Sequence, residues 1–181
     1  NCAIDDSGVK CWGQNSEGQT DVPAGLSFTN TSSSSGSIVG GLSHYCILQN
    51  NEVVCWGQND EGETDVPQLS SPTQVTAGNR VSCAIDNNEV VCWGTGDQQN
   101  GTLLDIPELL NPTMVSAGGG VCAIDDTGLV CWGNNINNTL NVPSLLNPTY
   151  VAAGWSHSCA IDNTGVVCWG YTPSAVPSLS N

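Results

Sequence analysis

Ten cysteines, two histidines and seventeen carboxylates carry the chemistry available to this 181-residue chain. The cysteines fall in five pairs of one spacing: Cys2/Cys11, Cys46/Cys55, Cys83/Cys92, Cys122/Cys131 and Cys159/Cys168. Each second cysteine precedes Trp-Gly. This spacing does not follow a zinc-ligand pattern. Regular, even pairing instead implies a disulfide framework made in an oxidising compartment. His44 and His157 stand at matching places just before a pair. Neither has a paired nucleophile, so the repeated address argues for a hydrogen-bonded structural role. The carboxylates offer calcium chemistry, since calcium takes several oxygen ligands. The candidates are Asp60, Glu61, Glu63 and Asp65, and the turn acids Asp125 and Asp126, with Asp5, Asp6, Asp86 and Asp162 at similar rims. None follows the twelve-residue calcium-loop pattern, and solvated turns are the simpler reading. No other cofactor is indicated.

These residues must be positioned by a repeated element. Successive pairs start 44, 37, 39 and 37 residues apart, so one unit of about 37 residues is written five times. Taken from cysteine to cysteine, the units span approximately 1–45, 46–82, 83–121, 122–158 and 159–181, the last incomplete. In Cys122-Ala-Ile-Asp-Asp-Thr-Gly-Leu-Val-Cys131, two short strands flank a turn at Asp125–Gly128. The register pairs Ile124 with Leu129, Ala123 with Val130 and Cys122 with Cys131, and directly opposed side chains permit a cross-strand disulfide. Each such bond is worth about 2.5 kcal/mol on chain entropy. After Trp-Gly come a polar turn and a short stretch ending in proline. A further strand signal follows: Ser37–Gly41, Gln74–Gly78, Met114–Gly118 and Tyr150–Gly154. No stretch has helical periodicity. The pattern predicts an all-β, β-propeller-like array of four-stranded antiparallel blades, each stapled by its disulfide. The tryptophans at 12, 56, 93, 132 and 169 are expected to pack between blades. Trp155 differs, standing where other copies have Leu42, Asn79 or Gly119, and is a candidate interaction residue.

Seventeen acidic residues against Lys10 and Arg80 give a net charge of -15. That field repels a phosphate backbone and excludes nucleic acid as a partner. It leaves solubility, attraction of cations, or a partner with a basic face. No apolar run reaches transmembrane length, so membrane insertion is not expected. Asn30, Asn100 and Asn137 begin glycosylation acceptor triplets. Asn30 borders the serine-rich insertion that lengthens the first repeat, and Asn100 lies in the longest Trp-Gly turn.

The units resemble the repeat of the regulator-of-chromosome-condensation superfamily in its extracellular, cysteine-paired form. The matching text is Ala153-Gly-Trp-Ser-His157-Ser-Cys159-Ala-Ile-Asp-Asn-Thr-Gly165-Val-Val-Cys168-Trp-Gly170. A second stretch is Cys55-Trp-Gly-Gln-Asn-Asp-Glu-Gly-Glu-Thr-Asp-Val-Pro67. The resemblance implies a β-propeller, usually seven-bladed, that binds proteins through loops and faces. A secreted β-lactamase-inhibitory member is similar in its short repeats. Five units open three outcomes: a fragment of a longer propeller, an unusual small ring, or an open array.

Three functions compete. The first is a non-enzymatic, secreted or extracellular scaffold presenting loops to a protein or glycan, through the 30–37 insertion, the 95–104 turn or Trp155. The second is a self-assembling subunit of an extracellular filament or surface layer, in which copies of the chain join through unpaired strand edges. The third is a propeller glycosidase, which requires a carboxylate cluster in a concave pocket. No unit carries an acidic residue without a structural explanation, so an enzyme is not expected.

Overall fold

Each cysteine pair folds as a tight hairpin. The computed structural model describes residues 1–5, 7–26, 37–95 and 103–171. In the second copy Asn50 and Asn51 take φ of 52° and 62°. In the third Asn87 and Asn88 take 51° and 63°. Two successive left-handed residues twist a two-residue turn to suit the strands it joins, and asparagine tolerates that region. The register sets Cys83 against Cys92, Ala84 against Val91 and Ile85 against Val90. All five hairpins carry their cross-strand disulfide, and no cysteine is free.

A third strand joins four of the hairpins. Blade 1 is the two-stranded sheet β1 (Cys2–Asp5) and β2 (Gly8–Cys11). Blade 2 holds β3 (Ser37–Gly40), β4 (His44–Gln49) and β5 (Glu52–Gly57). Blade 3 holds β6 (Pro72–Ala77), β7 (Val81–Asp86) and β8 (Glu89–Gly94). Blade 4 holds β9 (Met114–Ala117), β10 (Gly120–Asp125) and β11 (Gly128–Gly133). Blade 5 holds β12 (Tyr150–Ala153), β13 (His157–Asp162) and β14 (Gly165–Gly170). All pairings are antiparallel in simple meander order. Each three-stranded sheet therefore joins the strand signal that closes one cysteine-to-cysteine repeat with the hairpin that opens the next.

The fold is all-β and propeller-like, with three strands in blades 2 to 5 and two in blade 1 among the described residues, where the pattern suggested four. Where they are described, the segments after Trp-Gly are turns and extended chain, apart from one 3-10 turn at Ile136–Asn138. Their backbone is claimed locally. Asn15, Asn59 and Asn135 each accept, through Oδ1, the N–H five residues on, at 2.8, 3.0 and 3.0 Å. Prolines 23, 67 and 143 then supply no N–H at all. A segment so bonded cannot offer a ladder to β2, β5 or β11.

The core lies between blades. Each blade has a disulfide face and a tryptophan face, following the two-residue period of its strands. The disulfide face of blade 3 (Cys83, Ile85, Val90) meets Val115, Ala123 and Trp132 of blade 4. That of blade 2 meets Val75, Ala84 and Trp93 of blade 3, and that of blade 4 meets Val151, Ala160 and Trp169 of blade 5. Full burial of each such side chain is worth about 1.5–3 kcal/mol, and no blade achieves it alone.

Candidate binding groove

The first strands of blades 2 to 5, β3, β6, β9 and β12, run side by side on the inner edge of the array. A blade's inner strand caps the next one with side chains. The Gln74 amide donates to Val115 O at 3.0 Å and accepts from Val115 N at 2.9 Å. Thr76 Oγ1 accepts from Ala117 N at 3.1 Å, and Ser116 Oγ accepts from Ala153 N at 2.9 Å. Those inner-strand groups are thus occupied, and blades join face to face rather than edge to edge.

Where the inner strands end, glycines bring backbones into contact. Leu42 N donates to Gly78 O at 3.1 Å, Asn79 N to Gly118 O at 2.9 Å, and Gly119 N to Gly154 O at 3.0 Å. A Cβ on Gly118 would lie 2.2 Å from Gly154 O, so only glycine fits. This staircase floors a groove of about 240 Å³, lined by Ala117, Ala153, Asn79, Leu42 and Trp155 with the glycines. Leu42 is 68% exposed and Trp155 66%. Trp155 sits there because Gly119 has no side chain, as a Cβ would lie 2.2 Å from Trp155 O. The groove offers apolar surface and stacking area.

The two histidines part company. His44 is buried under the staircase, with Nε2 2.9 Å from Ser82 Oγ across the blade 2–3 junction. Ser82 Oγ gives its hydrogen to Glu63 O at 2.9 Å, so His44 Nε2 is the donor to it. Burial pushes the His44 pKa down, against the opposing pull of Glu63. His157, at the same address in blade 5, is exposed.

The structure disperses the calcium candidates into separate tasks. Asp60 accepts from Gln58 Nε2 and Asp65 from Asn59 Nδ2. Glu61 pairs with Arg80 at 3.2 Å and accepts from Thr95 Oγ1. Glu63 is fully buried, with Oε2 accepting from Glu61 N at 2.8 Å and Oε1 without a partner. Asp126 accepts from Asn111 Nδ2. Asp125 takes Leu110 N at 2.8 Å and also the Thr127 N–H and hydroxyl. Burial would raise its pKa, but these hydrogen bonds outweigh it and hold the carboxyl below its usual value. Asp162 is lowered too, chiefly by Leu146 N. Among the described residues no three His, Cys, Asp or Glu side chains gather to hold a metal ion. Of the acceptor asparagines, Asn137 is exposed on the 3-10 turn, with its Thr139 buried. Asn30 and Asn100, like Asp6, most of the 30–37 insertion and residues 96–102 of the third turn, lie outside the described residues.

Four tryptophans are buried at junctions, each donating its indole hydrogen to the preceding blade's loop: Trp56 to Gln19 O, Trp93 to Glu63 O, Trp132 to Leu103 O and Trp169 to Thr139 O. Trp12 is 53% exposed. Sequence reasoning missed the groove floor and Ser82. The signal for the floor was present, as a small residue and glycine closing every inner strand.

Residues 37–63 and 149–172 match the family model described as the regulator of chromosome condensation (RCC1) repeat. No curated protein matches the chain in sequence. Among solved structures, the ectodomain of the receptor kinase CR4 from Physcomitrella patens is 25% identical with a TM-score of 0.74, over 96% of this chain and 50% of that one. The CRINKLY WD40 ectodomain of the Arabidopsis thaliana receptor kinase ACR4 is 24% identical with a TM-score of 0.70, over 96% and 66%. Yeast RCC1 (Prp20), solved bound to Kap60, is 22% identical with a TM-score of 0.61, over 74% and 43%. The chain thus spans half of the first relative and under two thirds of the yeast protein. With its five cross-strand disulfides it is an RCC1-like, cysteine-paired repeat protein.

Proposed function

We propose that this RCC1-like repeat protein is a non-enzymatic, extracellular scaffold that binds protein at the end of its inner strands. The observation that carries the reading is the glycine-floored groove between exposed Leu42 and Trp155. Contiguous apolar surface lining a groove on a strongly acidic protein marks an interaction site. An exposed tryptophan is the side chain most often found to anchor one. The groove floor is alanine and glycine, with staircase N–H and C=O groups already bonded to each other. That chemistry suits an apolar side chain of a protein better than a sugar, which needs polar partners. Asn79 keeps a buried Oδ1 without a hydrogen-bond partner in the lining, an acceptor for an N–H brought in by a ligand. The extracellular setting is supported by the pairing of all ten cysteines and by the receptor ectodomains among the structural relatives.

Proximity labelling on intact cells, with the secreted protein as bait, tests this. The wild type should mark a small set of surface proteins that Leu42→Glu/Trp155→Glu fails to mark. The same set recovered with the folded double variant would place binding elsewhere.

A further inference from the structure

Behind the turns that line the groove stand the loops that follow Trp-Gly in the preceding blades. Three cases share one geometry. A Cβ on Gly57 would lie 2.6 Å from Ser43 O and 3.3 Å from Gln19 Cα, so the loop at 14–21 backs the Leu42 turn. One on Gly94 would lie 2.6 Å from Arg80 O and 3.1 Å from Glu63 Cα, so the loop at 58–65 backs the Asn79 turn. One on Gly170 would lie 2.7 Å from Ser156 O and 3.2 Å from Thr139 Cγ2, so the loop at 134–141 backs the Trp155 turn.

These loops differ in charge. The first holds Glu17 and Asp21, the second Asp60, Glu61, Glu63 and Asp65, and the third no ionisable side chain. Glu61 is paired with Arg80, and Glu63 is buried. Glu17, Asp21, Asp60 and Asp65 are exposed. Among the described residues the side chains bonded to the last three are the neutral amides of Asn15, Gln58 and Asn59, which leave the charge uncompensated. The groove therefore runs from an acidic end at Leu42 and Asn79 to a neutral, aromatic end at Trp155. Leu42 and Asn79 belong to blades 2 and 3, each packed between two neighbours, so the acidic end is internal to the array.

We propose that the groove takes a basic protein segment in one direction. An apolar or aromatic side chain of the segment lies on the alanine and glycine floor against Trp155. A lysine or arginine beside it reaches the acidic loops behind Leu42 and Asn79. The proposal rests on the groove reading above and adds the charge and direction of the ligand. Lysine and arginine suit this division, because their long stems follow apolar surface while their heads stay in water. The field of a protein with net charge -15 draws such a segment in and repels an acidic one. Exposed rim charges of this kind act chiefly on the rate of encounter, while the apolar contact sets how long the complex lasts.

The test selects random dodecapeptides displayed on phage against the folded 181-residue chain in about 50 mM salt, where screening is weak. Synthetic copies of the selected peptides are then timed on and off two variants. The first is the groove-blocked Leu42→Glu/Trp155→Glu. Its added charge would strengthen a purely electrostatic association, so loss of binding there reports the groove. The second is Glu17→Gln/Asp21→Asn/Asp60→Asn/Asp65→Asn, in which each new amide oxygen can still accept. Circular dichroism and intact disulfide mass verify both folds. Peptides that lose the blocked variant should carry lysine or arginine next to an apolar residue. They should associate with the neutralised variant about tenfold more slowly, with little change in dissociation. Groove-dependent peptides that are neutral or acidic, or that associate equally fast with the neutralised variant, would overturn the proposal and leave the groove standing as a binding site. Peptides that bind the blocked variant undiminished, or no enrichment at all, would overturn the groove reading and this proposal with it.

Discussion

The indole nitrogen of Trp93 donates to the carbonyl oxygen of Glu63 across 3.0 Å, binding blade 3 to the loop of blade 2. The same bond recurs at three other junctions, each time from the tryptophan after a second cysteine to the loop of the blade before. It explains why Trp-Gly follows the four pairs whose blades pack on a preceding one. The ring fills the junction core, while its one polar atom finds the carbonyl it needs when buried. The glycine beside it lets the backbones close, since a Cβ on Gly94 would lie 2.6 Å from Arg80 O.

The tryptophans should therefore differ sharply in worth despite identical sequence context. Trp132→Ala is expected to cost about 3–5 kcal/mol, the usual range for emptying a buried aromatic site. Trp132→Phe keeps most of the volume but strands the Leu103 carbonyl, at about 1–3 kcal/mol. Trp12→Ala, half exposed, should stay within about 1 kcal/mol. Denaturant titrations of the three variants check the order, and equal losses at 12 and 132 would contradict it.

The hairpins were legible because their signals are local. Cysteine spacing sets the register, and Asn or Asp-rich turns set the hairpin. The inner strands were legible for the same reason, as Val-flanked runs ending in glycine. The fourth strand was misread because a short apolar stretch ending in proline looks like a strand, while Asn15, Asn59 and Asn135 bond the backbone themselves. The groove was not legible, since it forms only when glycines about 37 residues apart come together. Nor could sequence separate His44 from His157. Their addresses match, and only the presence of Ser82 above one of them distinguishes a buried ring from an exposed one.

Gly118→Ala tests the staircase. Its Cβ would meet Gly154 O at 2.2 Å and Ala153 O at 2.6 Å, both backbone atoms that cannot rotate away. Blades 4 and 5 must separate at the inner edge, at a cost of about 3 kcal/mol or more. Hydrogen exchange should show the Gly119 N–H, now bonded to Gly154 O, losing most of its protection. Protection retained at Gly119 would mean the blades tolerate the extra carbon.

Glu63→Gln should be neutral or stabilising by about 1 kcal/mol. The buried side chain serves as an acceptor for Glu61 N, at 2.8 Å. Gln19 does the same for Glu17 N at 2.8 Å in the first loop, so an amide fills this address already. The substitution removes a carboxylate whose Oε1 is buried without a partner. Thermal unfolding decides, and a marked loss would reveal a use for the negative charge that the geometry does not show.

Acid should weaken the fold in two stages. His44 has a lowered pKa, so the folded protein binds fewer protons than the unfolded chain. Its contribution is complete above the unfolded value of about 6.5 and declines as pH falls below it. Asp125 and Asp162 are lowered as well, and theirs is complete above about 4 and lost below. Midpoints of thermal unfolding measured from pH 8 to pH 2 should step down twice. His44→Gln should abolish the upper step alone, and an upper step that persists in it would assign the titration to another group.

Reduction should proceed in an order set by blade position, not by sequence, since all five disulfides share one spacing. In each central pair the first cysteine, Cys46, Cys83 or Cys122, is almost fully buried because a following blade covers the disulfide face, while its partner is half-buried. In blades 5 and 1 both cysteines of the pair are half-buried among the described residues, Cys159 with Cys168 and Cys2 with Cys11. Exchange needs a thiolate to reach a sulfur, so access governs rate where local chemistry is the same. Under mild reductant without denaturant, alkylation and peptide mass mapping should find Cys159–Cys168 and Cys2–Cys11 opened first. The three central bonds, each with one cysteine almost fully buried, should open more slowly, and each contributes about 2.5 kcal/mol by constraining the unfolded chain.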